Sequence, residues 1–310
     1  VQINAGNAAS LALSHKAALT NVQSISWASN AAGLSLVTQN SDSAGNQVYG
    51  VTTVNAPDLA TQSVFSSQVD RVVTVAPDGR TAALVSPDMN SFTLVDLADN
   101  NKVLFTSTPG YLVGYLSFSP DMKYLAVTKM EYWEVVLIDL ATYQEVRTLT
   151  GFSTAAPVFN ASFQHSPQWM LWHARATIQL QEVETGMMGP VFSHEDFVMD
   201  YDLTADGTLL ASAAGKTVNN NYVSAVTIWD TSTGGEIRTL ELSGPANALQ
   251  FSPDGKLLAI AVGNELQVWD PVEGKMLTAL TGHSDMVTKV AFSPDQKAIS
   301  TSGLDNQLYL

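Results

Sequence analysis

Apolar residues along this chain fall in short runs and not in a helical rhythm. Leu257-Leu-Ala-Ile-Ala261, Leu266-Gln-Val-Trp-Asp270 and Met276-Leu-Thr-Ala-Leu280 follow one another closely, and Gly, Asn, Asp or Pro separates them. Runs of this length, rich in β-branched and aromatic types and punctuated by turn residues, predict antiparallel strands. No segment sustains the spacing of an amphipathic helix, so the pattern predicts an all-β chain.

A repeat organises these runs. Phe118-Ser-Pro-Asp121, Phe251-Ser-Pro-Asp-Gly255 and Phe292-Ser-Pro-Asp295 are nearly identical, and Val75-Ala-Pro-Asp-Gly79 and Tyr201-Asp-Leu-Thr-Ala-Asp-Gly207 are close variants. Phe163-Gln-His-Ser-Pro167 is a weaker copy and Trp27-Ala-Ser-Asn30 the faintest. The markers Trp27, Val75, Phe118, Phe163, Tyr201, Phe251 and Phe292 stand 48, 43, 45, 38, 50 and 41 residues apart, the spacing of one propeller blade per unit. Within the unit, Pro presets φ, Asp bonds the local backbone and Gly takes the left-handed conformation, which makes a tight hairpin turn. Each unit predicts four strands. Seven units over residues 1–310 predict a single domain, a seven-bladed β-propeller of four-stranded antiparallel blades.

Thr227-Ile-Trp-Asp230 and Gln267-Val-Trp-Asp270 resemble the Trp-Asp signature of WD repeats, and Gly282-His283 resembles their Gly-His pair. Leu137-Ile-Asp139 and Leu94-Val-Asp96 keep only the Asp, while Gln181-Glu182 and Val54-Asn55 keep neither residue. The last unit ends on a third strand, Asn306–Leu310. The WD resemblance implies that the N-terminal segment Ala9–His15 supplies the missing fourth strand and closes the ring, removing an exposed sheet edge. It also implies a Trp beyond Leu310, so the native chain is expected to continue past that residue. In the family a histidine, a strand Ser or Thr, a turn Asp and the signature Trp share a structural hydrogen-bond network. The resemblance gives His283, Ser300 or Ser302, and Asp305 those scaffold places.

Composition narrows the function. Fourteen Lys and Arg against 29 Asp and Glu leave a formal charge of −15, which repels phosphate backbones and anionic lipid, so nucleic acid is not expected as the main partner. Only 14% of residues are charged, against about 25% in ordinary soluble domains, which leaves neutral polar groups to keep the surface wet. There is no cysteine, hence no disulfide, thiolate metal site or Cys nucleophile. That fits an extracytoplasmic or cell-surface bacterial protein, although cytosolic chains lack cysteine too. No apolar run is long enough to span a membrane. The start at Val1, with no charged-then-apolar leader, suggests a processed or trimmed N-terminus.

Candidate chemistry is sparse. His194-Glu195-Asp196, with Asp200 nearby, is the most metal-like group, but His194 and Glu195 are adjacent and point apart on an extended backbone; a solvated acidic loop is the plainer reading. Asp202–Ala213 has the look of a calcium loop but lacks the closing Glu. No Gly-x-Ser-x-Gly elbow is present. His165, His173 and Arg175 fall near Trp169 and Trp172 in the degenerate fourth unit, where burial against a neighbouring blade competes with a ligand pocket. No cofactor or metal is expected. Tyr111, Tyr132, Trp133, Phe152 and Tyr222 fall in loops at one rim, the entrance face, as aromatic candidates for contacting a partner. The alternative is that Tyr132 and Trp133 begin a third strand and pack between blades.

The reading is a non-catalytic protein-binding scaffold, exported or surface-exposed and part of a larger assembly, with other proteins as partners. One alternative is a small-ligand receptor or a hydrolase- or lactonase-like enzyme using the central channel. It would need convergent carboxylates and histidines on the inner strands, whereas Leu112–Leu116 and Val287–Ala291 read as mostly apolar or small. Another is a structural subunit of an extracellular assembly.

Overall fold

The computed structural model of the chain describes residues 2–56, 58–68, 70–130, 134–151, 160–218 and 221–310. Seven four-stranded antiparallel sheets form the blades. Their first strands are Val22–Trp27, Arg71–Val75, Val113–Phe118, Asn160–Phe163, Val198–Leu203, Ala246–Phe251 and Val287–Phe292, and first strands of neighbouring blades meet around the central axis. In blade 5 the residue aligned with the other markers is Leu203, not Tyr201. It faces Leu210 across the hairpin as Phe251 faces Leu258.

The repeated turn is a small hydrogen-bonded device. Ser119 Oγ donates to Asp121 Oδ1 (2.6 Å) and accepts the Tyr124 N–H (2.8 Å), while Asp121 also accepts the Lys123 N–H (3.1 Å). Ser252–Asp254, Ser293–Asp295 and Thr204–Asp206 repeat it. In blade 2 Ala76 replaces the serine, and Thr81 bonds Asp78 through its hydroxyl instead (3.0 Å). The residue after the Asp has positive φ: Gly79, Gly207 and Gly255 fill that place without strain, whereas Met122 and Gln296 occupy it with side chains. The Asp of the signature has a separate task. Asp139, Asp230 and Asp270 each accept two backbone N–H groups of the turn leading to the fourth strand.

Apolar faces of adjacent sheets bury one another. Leu116, Leu125 and Ile138 meet Phe92 and Leu94 between blades 2 and 3, and Ile228 and Leu240 meet Phe251 and Ile260 between blades 5 and 6. Across the seam between blades 7 and 1, Trp27, Leu34 and Leu36 pack with Ala291 and Leu308, and Trp27 Nε1 donates to Ser300 Oγ (3.1 Å).

Blade 7 is made from both ends of the chain. Val287–Phe292, Ile299–Gly303 and Gln307–Tyr309 are completed by Lys16–Ala18, antiparallel to Gln307–Tyr309. N-terminal closure is thus as expected, but the strand falls just after the segment assigned to it. Residues 9–15 are drawn elsewhere because their neighbours bury apolar groups: Ile3 and Ala8 enter the blade 6–7 core, with Leu11 packed on it. Gln296 locks this strap by giving its amide N–H to the Ile3 carbonyl (2.6 Å) and accepting the Ile3 N–H on its own carbonyl (2.6 Å). His15 and Leu310 then exchange backbone hydrogen bonds leading into the strand. Deleting residues 1–18 exposes an edge and uncovers the seam, and should lower the melting temperature by at least several degrees. Deleting 1–15 should cost less, because Lys16–Ala18 stays. Equal melting of all three chains would contradict the closure.

Candidate functional site

Functional groups collect on the entrance face, which carries the loops between second and third strands and between blades, and in the central channel. Of the rim aromatics, Tyr111 is half-buried: its ring packs on the blade 2–3 core with the Lys129 ammonium 4.8 Å above it. Its hydroxyl is buried without a hydrogen-bond partner among the described residues, and burial, reinforced by Glu145, raises its pKa. Tyr132, Trp133 and Phe152 lie outside the described residues. Tyr222 is placed by its backbone alone, opposite Thr217 near the end of the long blade 5 hairpin. Reading the sequence for aromatics missed a different set. Met89, Met130, Phe197, Met199, Met286 and Leu304 are all exposed on the entrance side, and the Arg175 guanidinium stacks 4.5 Å from the Phe197 ring.

His194 turns out to be scaffold. Its Nε2 bonds Ser212 Oγ (2.9 Å), which also accepts the Trp229 indole N–H (2.8 Å). Glu195 is exposed, and Asp196 caps the Phe197 N–H. Among the described residues no three His, Asp or Glu groups stand together as metal ligands. Burial holds the His194 pKa down at about 4, with the nearby His173 adding to the shift and Glu236 opposing it. His283 bonds Asp305 through Nδ1 (3.0 Å) and Thr301 Oγ1 through Nε2 (2.9 Å). The strand partner is therefore Thr301, not Ser300 or Ser302. Side chains alternate across a strand, and Ser300 is turned to the seam, donating to the Ala291 carbonyl (3.2 Å). The calcium-like stretch does not converge either, since Asp206 is engaged by Thr204 and Thr208 while Asp202 faces inward.

The channel differs from what the inner strands suggested. A bulge displaces the first strand of blade 5 between Val198 and Asp200 and that of blade 7 between Val287 and Lys289, and bulges re-aim the residues beyond them. Asp200 and Asp202 both bond the next inner strand: Asp200 Oδ2 accepts the Leu249 N–H (2.8 Å) and Asp202 Oδ2 the Phe251 N–H (2.7 Å). Asp202 is buried and pairs with His165 Nδ1 at 3.0 Å. Burial disfavours charge on His165, but the Asp202 carboxylate outweighs it and raises the pKa. Burial pushes Asp200 up to about 6, against the pull of the Leu249 N–H and Lys289. The His173 ring meets Tyr201 edge-on at 5.1 Å, and burial lowers its pKa. Of the grouped fourth-unit residues, His165 and His173 come to the channel, Arg175 goes to the entrance face, and the buried Trp172 donates to Gln181 Oε1 (2.8 Å).

The architecture defines a class, the closed seven-bladed β-propeller. Residues 274–310 match the family model of the WD domain, G-beta repeat. An uncharacterized WD repeat-containing protein of Synechocystis sp. is 25% identical over 300 residues, covering 79% of this chain and 83% of that protein. Shorter similarities reach the guanine nucleotide-binding protein subunit beta of Schizosaccharomyces pombe, 38% identical over 63 residues, and the intraflagellar transport protein 122 homolog of Mus musculus, 39% over 62. Each covers 20% of this chain, but only 21% and 5% of those proteins. The repeat signature and the seven-bladed fold agree with these similarities to WD-repeat proteins.

Ser212→Ala strips the Trp229 indole and His194 of a shared buried partner, and should cost about 1–3 kcal/mol in urea unfolding with the fold retained. A change within error would remove the network from the stabilising interactions. His194 also makes a pH prediction. Unfolded, it takes up a proton below about pH 6.5; folded, only near 4. Its contribution to stability is therefore complete above about pH 6.5 and is lost as the pH falls towards 4. The His194 ring resonances should titrate near the low value, and His194→Gln should flatten the acid-side stability profile. Titration at the ordinary histidine pKa would refute the burial argument.

Proposed function

We propose that this propeller is a protein-binding platform whose entrance face receives the partner, working in a larger assembly outside the cytoplasm. The observation that carries the proposal is the exposed apolar set on that face. Four of its six members are methionines, whose flexible, polarizable side chains suit adaptable binding surfaces. Phe197, fixed by Arg175, provides a more rigid anchor among them. The WD relatives support a binding role, and one of them is by name a subunit. The cysteine-free, low-charge composition supports the extracytoplasmic setting.

Affinity capture should compare the wild type with Met130→Ser/Met199→Ser and with Tyr132→Ala/Trp133→Ala. A partner held by the wild type is expected to bind at least about 2 kcal/mol more weakly to variants that keep the wild-type melting temperature. Full retention by both folded double variants would move the interface off the entrance face. Unfolding of the Tyr132→Ala/Trp133→Ala variant would assign those rings to inter-blade packing.

A further inference from the structure

Two cavities of about 430 Å³ each share Ser26, Val75, Phe118, Phe163 and Gln164, and so run together along the axis. Each volume is in the range of small-molecule sites. One end is rimmed by hairpin prolines, above the rings of Phe118, Phe163, Phe251 and Phe292, which are all more than nine-tenths buried. The other is polar, and its groups are concentrated on blades 3 to 5: Tyr115, Ser117, Ser162, His173 and Asp200.

The charges on this wall are compensated. Asp202 is matched by His165 at 3.0 Å, and Asp200 lies within the field of Lys289 from blade 7. A free anion would meet the Asp200 carboxylate, and a free cation would find that carboxylate already opposed by an ammonium. The remaining lone pairs of the Asp200 carboxylate, the seryl hydroxyls and the Gln164 amide instead offer a mixed array of donors and acceptors. That array matches a ligand bearing several hydroxyl groups, and the proline-rimmed apolar end matches its C–H groups. We propose that the channel of this propeller binds a small uncharged saccharide or related polyol against the blade 4–blade 5 wall, with Asp200 and Ser162 as hydrogen-bonding residues and the proline-rimmed end as its apolar support.

This inference goes beyond the protein-binding role and stands without it. The test uses the whole chain with trehalose, maltose and N-acetylglucosamine as probes, and glucosamine and gluconate as charged counterparts. Binding is read by calorimetry and by the imidazole C–H resonances of the protein, whose five histidines make assignment tractable. At least one neutral sugar should bind with a dissociation constant in the millimolar range or tighter, shift the His165 and His173 resonances, and leave His283 unmoved. Asp200→Asn and Ser162→Ala should each weaken that binding about tenfold. The proposal is overturned if no neutral sugar shifts His165 or His173 in the wild type, which needs no variant to fold. It is equally overturned if folded variants bind unchanged, or if glucosamine or gluconate binds more tightly than every neutral probe.

Discussion

A ring of sheets buries its apolar faces only when the last sheet meets the first, and the rest of this molecule depends on that seam. Blade 7 takes its outer strand from Lys16–Ala18, so the two ends of the sequence are held together by backbone pairing. The seam then repeats what every other blade interface does, sandwiching Leu34 and Leu36 against Ala291 and Leu308. Left open, the same residues would be solvent-facing sheet surface beside an unpaired edge, a template for aggregation. The N-terminal strap adds a second fastening between blades 6 and 7, where Ile3 and Ala8 join the core and Gln296 holds the Ile3 backbone from both sides.

At three joints around the axis, a side chain of one inner strand captures a backbone N–H of the next. The residue differs among these three: Ser117 holds Phe163, Asp202 holds Phe251 and Gln250 holds Phe292. A hydroxyl, a carboxylate and an amide all accept an N–H, so the scaffold tolerates any of them. The channel inherits the consequence, because whichever group makes the joint also sets the charge and hydrogen-bonding character of the wall. Placing Asp at two positions of blade 5 makes one side of an otherwise regular ring chemically distinct, and His165 offsets part of the charge so introduced.

The same substitution of one solution for another recurs at the tryptophans. The Trp229 indole reaches Ser212, Trp172 reaches Gln181, Trp269 reaches Gln267 and Trp27 crosses to Ser300. Buried indole N–H groups must be satisfied, but degenerate repeats satisfy them with whatever acceptor the local register supplies. Loss of the repeat signature in blades 1 and 4 therefore does not mean loss of the blade.

Local chemistry carried most of the fold into the sequence. Ser-Pro-Asp turns, short β-rich runs and their spacing are written in consecutive residues, so the seven blades and the closure were legible, even where Ala76 or Ala28 replaced the serine. The His283–Asp305 pair was legible for the same reason, as part of a repeated signature. What escaped depended on which way a side chain faces. The family resemblance assigned the closing strand to residues 9–15 and the His283 partner to Ser300 or Ser302, but the burial of Ile3 and Ala8 in the blade 6–7 core and the register of one strand decided otherwise. His194 read as a metal candidate because its partner Ser212 and the indole that completes the network are 18 and 35 positions away in the chain. The channel was least legible of all. Its wall takes a few residues from each blade, and a bulge interrupts the period-two pattern where Asp200 turns inward. The sequence by itself determined the repeat, the turns and the strands, because these are local. Only the tertiary structure decided which strand closes the seam, the polar channel and the methionine-lined face, because each depends on residues that meet only after the ring has closed.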